Sequence, residues 1–391
     1  MARFNQTKND CCKFDSKRVI IIFKVGKTIN NTRINVTKSF LPPKEEYDVL
    51  LDEIWGSKIL TNNGPLSVRL ENEIKTFIEN ENFLFVSNGT IAIQLALKAM
   101  ELKGEIITTP FSYCATTNVI IWENLTPVFV DINPSDLNIN ADLIEEKITP
   151  KTSAILATHV YGNPCNVEKI EQIAKKHNLK VIYDAAHAFG VKYKGKSLIT
   201  FGDVSTCSFH STKVFHTIEG GSVVCQEKEL FDKIKLIRSF GHVLDNYYAA
   251  GINGKNSEFH AAMGICNLKH LPEIIEGRKR VFSEYDKQLN FEKIEKVTEK
   301  SQHLEYNYAY YPLVFESENI TLEIIKRLNE ENIYPRRYFF PSLNELDFLE
   351  STQSCPISES ISKRVLSLPL YPDLESEIVS KICKIINSVV K

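Results

Sequence analysis

Between Phe83 and Cys225 the chain alternates short, almost uniformly apolar runs with amphipathic stretches, and that alternation restricts the folds open to it. The runs "FLFV", "EIITT", "PVFVDI", "SAILATHV", "KVIYDAAHA", "DVSTCSF" and "GSVVCQ" have the length and apolar content of buried strands. Helical patterns stand between them. In "IAIQLALKAMEL" Ile91, Leu95 and Ala99 recur at four-residue spacing. In "VEKIEQIAKKHN" Ile170, Ile173 and Ala174 share a face, and Asn178 marks the stop. Strands apolar on both faces, alternating with helices, predict an α/β fold with a mostly parallel sheet covered on both sides. Ligands of such sheets sit at the carboxyl ends of the strands, so polar residues there come first.

The 391 residues leave room for two domains, and a chain of this length buries a core without disulfides or structural metal. Within Leu271–Val281 the texture changes. A long helical stretch leads to "YAYYPLVF", "LEIIKRLNEENI" and "RRYFFP", which read as strand, helix and strand of a smaller α+β domain. The expected organisation is an N-terminal extension over 1–33, a large domain over 34–275 and a small domain over 276–391. The extension is polar apart from one β-like run, Arg18–Phe23. That run is too short for a signal peptide, and no small-residue cleavage site follows it. A formal net charge of −2 offers no bulk attraction to nucleic acid or anionic membrane. No apolar run approaches the roughly 18 residues of a membrane span. The nine cysteines are scattered, with no CxxC pair, which fits a reduced, cytoplasmic protein.

Several strand ends carry candidate chemistry. "SNGT" puts Gly89 at the start of a helix, where free amides suit a phosphate, although Asn-Gly is also an ordinary turn. Asp184 follows a buried strand. It is either a helix cap or a buried carboxylate that needs a cationic partner. His187, three residues on, is either a packed core histidine or a site residue. Lys213, in "CSFHSTKVFHTIEGG", would ordinarily be a solvated charge. Held among strand ends near another cation, it could serve as a nucleophilic amine, with Ser208 and Ser211 nearby and a Gly-Gly turn to bring the chain back. A metal site made of Cys207, His210 and His216 is disfavoured, because residues 207 and 210 face opposite ways in an extended strand and no second ligand pair stands at zinc spacing. The same alternation disfavours a Cys207–His210 nucleophile. Cys207 then reads as buried filler, and His210 and His216 as pocket-wall or packing residues.

Together these segments resemble the DegT/DnrJ/EryC1/StrS aminotransferases over about Ile34 to Tyr371. The resemblance rests on "LTNNGPLSVRLENEI", "SNGTIAIQLAL", "TTPFSYCATTNVI", "VYGNPCNVEKI", "YDAAHAFG", "FGDVSTCSFHSTK", "EGGSVV", "AGINGKNSEFHAAMG" and "LSLPLYPDL", in matching order and spacing. It implies fold type I of the pyridoxal 5′-phosphate (PLP) enzymes, the aspartate aminotransferase-like fold. It also implies transfer of an amino group from L-glutamate to a nucleotide-linked keto-sugar.

The same resemblance implies residue roles. Lys213 would bind PLP covalently and shuttle the proton, and Asp184 would pair with the pyridinium nitrogen. Gly89, Thr90 and Ser208 would hold the phosphate, Tyr113 would stack on the ring, and His187 would lie beside ring and substrate. Asn253 would reach the phosphate in a neighbouring subunit, so the active site would be shared in a homodimer. His216, Arg336 and Arg337 are the candidate substrate contacts. Where the family usually has "N-Y-R-M", this chain has Asn253-Gly254-Lys255-Asn256, so an arginine fork is lost there. "FHSTKVFHTIEGG" and "NIYPRRYFFPSL" look closest to the viosamine-type subgroup, which aminates dTDP- or UDP-linked 4-keto-6-deoxyglucose. A 3-keto-sugar transaminase, a sugar 3-dehydratase and a non-catalytic regulatory protein are the alternatives. The dehydratase is disfavoured because its family replaces the lysine with histidine.

Overall fold

The computed structural model describes residues 33–297, 303–349 and 352–390. The expected run Arg18–Phe23 lies outside them. The seven apolar runs form one seven-stranded sheet. Its order is Phe83–Val86, Gly221–Cys225, Val204–Ser208, Lys180–Asp184, Thr152–Thr158, Glu105–Thr108 and Thr126–Phe129. All neighbours pair in parallel except Gly221–Cys225, which runs antiparallel to both of its neighbours.

Both faces of this sheet are buried, which is why its strands read as continuous apolar runs. Along Lys180–Asp184, Val181 and Tyr183 pack with Ile170, Ile173 and Ala174 of the helix Val167–His177. Ile182 between them joins the opposite cluster, with Ala92 and Ala96 of the helix Gly89–Ala99. Burial of each large aliphatic side chain contributes about 1.5–3 kcal/mol. The helix Val167–His177 ends at Asn178, which takes the left-handed conformation at φ 52°. Asparagine tolerates that conformation well, and its amide caps the Ala174 carbonyl.

A second, three-stranded antiparallel sheet follows in the order Ile294–Lys296, Tyr311–Phe315 and Val365–Leu368. It has its own cluster with the helices Glu318–Glu330 and Ser376–Val389. The helix Leu271–Gln288 runs unbroken through residue 275, and the residues from Arg33 onward form one compact unit. The strand expected in "RRYFFP" does not form. Only Arg336 makes a bridge, to Ser367, and the aromatic residues after it turn into a loop. Instead Ile333–Tyr334 is the strand after that helix, paired in parallel with Ile34–Asn35.

The seven cysteines among the described residues are free thiols. No helix among them is long and apolar enough to cross a membrane.

Candidate active site

The register of the large sheet lines up strand ends along one edge. Thr158 stands beside Asp184, Asp184 beside Thr206, Ser208 beside Gly221, and Gly221 beside Val86. A cavity of about 350 Å³ opens over this edge. Gly89, Thr90, Tyr113, Asp184, His187, Ser208, Lys213 and Arg336 all line it, although they lie far apart in sequence.

Gly89 opens the helix Gly89–Ala99, which is capped by the Asn88 side chain accepting from the Ile91 amide at 2.8 Å. A Cβ on Gly89 would sit 2.9 Å from Ser208 Cβ, so glycine alone lets the helix start reach the strand end. The first-turn amides have no carbonyl one turn back, and with the Ser208 hydroxyl they form an anion-binding corner. Gly221 closes this corner from behind. A Cβ there would meet Asn88 C at 2.5 Å and the Cys207 carbonyl oxygen at 2.7 Å.

Asp184 is 6% exposed at its strand end. Thr116 Oγ1 donates to its Oδ2 at 2.7 Å, and the Ala186 amide donates to its Oδ1 at 3.1 Å. Behind Thr116 the hydroxyls continue, with Ser112 Oγ 2.8 Å from Thr116 Oγ1 and 3.0 Å from Thr158 Oγ1. Such a chain polarises toward the carboxylate. Burial pushes the Asp184 carboxyl above its ordinary value, against the pull of Thr116, Ala186 and the nearby Lys213 ammonium. Two neutral donors and one amine do not fully offset the loss of water, so the site favours a further positive charge beside Asp184.

His187 is buried, and its Nδ1 accepts the Tyr161 amide at 3.1 Å. The acceptor role places the proton on Nε2. Burial, then Lys213, pushes its pKa well below the ordinary value, so the ring is neutral. It lies parallel to Phe339 at 5.7 Å and edge-on to Tyr310 at 4.7 Å. Tyr310, Tyr338 and Phe339 line the cavity. Sequence reasoning missed these three, and also Thr116, Ser112 and Thr158. A hydroxyl pair four residues apart, Ser112 and Thr116 in "FSYCATT", was the available signal.

Other candidates lie elsewhere. His216 does not line the cavity and is 2% exposed. Its Nε2 bonds the Phe40 carbonyl at 2.7 Å, and Asn267 Nδ2 donates to its backbone oxygen at 2.9 Å. It is a packing residue, since the turn after Lys213 sends it back under the chain. Arg337 is also outside the lining. It pairs with Glu318 at 2.9 Å and lies 3.5 Å over the Phe340 ring. Asn253 is exposed, outside the cavity, with its backbone bridged to Ser239. His210 does line the cavity, 3.6 Å from Glu219. The Cys207 thiol donates to the Ala185 carbonyl at 2.9 Å, and burial raises its pKa, so it is no nucleophile.

Residues 43–387 match the DegT/DnrJ/EryC1/StrS aminotransferase family. The chain belongs to this family. The aminotransferase is 41% identical over 363 residues to the dTDP-4-amino-4,6-dideoxy-D-glucose transaminase of Shigella dysenteriae, covering 91% of this chain and 99% of that one. It is 38% identical over 371 residues to the transaminase of the same name from Escherichia coli, covering 92% and 99%. Among solved structures it superposes on DesI in the presence of its TDP-sugar product with a TM-score of 0.87. The identity there is 28%, over 92% of this chain and 93% of that one. The α/β fold type I architecture follows from these neighbours and from the sheet. The family implies PLP, and the aminotransferase's own atoms suit it. A corner of amides and a hydroxyl suits a phosphate, a buried carboxylate short of positive charge suits a protonated ring nitrogen, and the Lys213 amine lines the same cavity.

Proposed function

We propose that the aminotransferase moves the amino group of L-glutamate to the 4-keto carbon of a dTDP-linked 4-keto-6-deoxy-D-glucose, giving a 4-amino-4,6-dideoxy sugar nucleotide. The observation that carries this reading is the meeting of Asp184 and Lys213 in one cavity, in a chain 41% identical to a transaminase named for that product, along 99% of that protein's length. In this reading PLP supplies an electron sink for the carbon that loses its proton. Asp184 holds the ring-nitrogen proton and is kept in place by Thr116 and Ala186. Gly89, Thr90 and Ser208 hold the phosphate. Tyr113 and the neutral His187 flank the ring. Lys213 Nζ would hold the cofactor covalently, and as a free amine it would take the proton from the glutamate Cα in the first half-reaction and deliver a proton to the sugar carbon in the second. Arg336, at the cavity wall, offers its guanidinium to the diphosphate or to the donor carboxylate. Arg337 is already engaged with Glu318.

Residues 34–275 would form the cofactor domain and 276–391 the smaller one. Two copies would pair through the exposed apolar side chains Leu41, Trp55 and Leu60, letting Asn253 reach the partner's site. In this reading the enzyme works in the cytoplasm, where its free cysteines would stay reduced. The test is spectroscopic. The PLP-loaded protein has a visible absorption band that L-glutamate shifts, and Lys213→Ala abolishes the shift. An unchanged glutamate response in that variant overturns the assignment. Incubation of the wild type with glutamate and the 4-keto sugar nucleotide, followed by NMR of the product, reads the carbon aminated.

A further inference from the structure

Tyr161 stands out because nothing so far explains it. It follows the strand Thr152–Thr158, is fully buried, and holds φ 57° and ψ 9°. A bulky aromatic residue in the left-handed region is strained, and such strain persists only where the surroundings impose it. Three hydrogen bonds do so. Its amide donates to His187 Nδ1 at 3.1 Å. Its carbonyl accepts from the Tyr306 hydroxyl at 2.8 Å. Its own hydroxyl donates to the Tyr338 carbonyl. The ring lies nearly parallel to Phe339, at 6.2 Å and 7°, and to His187, at 6.4 Å and 11°.

Tyr161 does not itself line the cavity, yet two of its bonds end on parts of the lining that come from distant segments and stack on each other, His187 on Phe339 at 5.7 Å. One is His187, on the segment after Asp184. The other is the Arg336–Phe339 segment, whose backbone is otherwise fastened by the pairing of Arg336 with Ser367. In the left-handed conformation the amide bonds the His187 ring while the side chain reaches the Tyr338 carbonyl. Burial raises the phenol's pKa well above its ordinary value, so it remains a donor.

We propose that Tyr161 is a positioning residue that sets the distance between His187 and the Arg336–Phe339 wall, and through that distance the affinity for the acceptor. The kinetic part rests on the reading of Arg336 as a substrate contact. The structural part does not.

The experiment compares PLP-loaded wild type, Tyr161→Phe and, as a control, Tyr47→Phe, which loses a similar phenol-to-carbonyl bond, to Phe259 at 3.1 Å, away from the cavity. The Tyr161→Phe enzyme keeps its glutamate-induced spectral shift, because the amide to His187 remains. Amide exchange at Arg336–Phe340 speeds up by about tenfold or more. KM for the nucleotide keto-sugar rises about tenfold, with kcat within about twofold. The Tyr47→Phe enzyme shows neither change. Unaltered exchange at Arg336–Phe340 in Tyr161→Phe overturns the proposal, as does an unchanged KM, or an equal KM rise in the control. If the wild type turns over no nucleotide-linked keto-sugar, the functional reading falls, and the exchange measurement alone decides the role of Tyr161.

Discussion

Asp184 shows how one residue can weaken a protein and equip it. Its folded carboxyl is raised above the ordinary 3.8 by burial. For an acid shifted upward, the folded state binds more protons than the unfolded one between the two pKa values. Its contribution to stability is therefore complete below about pH 3.8 and is lost as pH rises through the folded value. Asp184→Asn removes that penalty while keeping the Thr116 contact. The cofactor-free variant is expected to melt higher than wild type at pH 8, with the gap closing toward pH 4. Turnover falls by roughly 10- to 150-fold, the equivalent of about 1.5–3 kcal/mol for a hydrogen bond to a charged group. A lower melting temperature for the variant at pH 8 removes the argument. Asp184 was legible from sequence as a carboxylate at a strand end, and Lys213 followed from it. Thr116 was not, because its bond to Asp184 spans two strands and a helix, and nothing local announces it. His216 failed for the converse reason. A histidine three residues past the lysine looks available, but the fate of its ring depends on Phe40 and Asn267, both distant in sequence.

At the scale of elements, the antiparallel strand Gly221–Cys225 is the part with least tolerance. Its first residue lies against the Asn88 and Cys207 backbones, and backbone atoms cannot swing aside as a side chain does. Gly221→Ala is expected to cost about 1–3 kcal/mol in urea unfolding and to weaken PLP binding by pushing Asn88 off its cap. Gly56→Ala, in the helix Lys44–Ser57 with nothing within 4 Å of the new Cβ, should be neutral or stabilising. Equal losses at both positions would mean that backbone contact is not what matters. The strands of the large sheet were readable because both-face burial writes an unbroken apolar run. The loop at "RRYFFP" misled because aromatic residues are equally at home in strands and in cavity walls. Composition does not separate the two uses, and only the partner of each ring does.

At the scale of the whole molecule, the exposed apolar residues at the start of the compact unit bear on assembly. Leu41 is 71% exposed and Trp55 66%, and burying them against a second copy would remove apolar surface from water. Light scattering at micromolar concentration is expected to give twice the 44.6 kDa chain mass. A mass of one chain would remove the shared-site proposal. The strand Ile34–Asn35 has a different consequence, in time rather than in energy. Its only ladder partner among the described residues is Ile333–Tyr334. On a ribosome adding about 5–20 residues each second, Ile34 emerges roughly 15–60 s before the segment it pairs with exists. Through that interval the large sheet can close, but this edge stays open. A longer strand left waiting so long would invite a wrong partner. At two residues it offers too little ladder to recruit one, and the long loop of chain between Asn35 and Ile333 is closed only in the later part of synthesis.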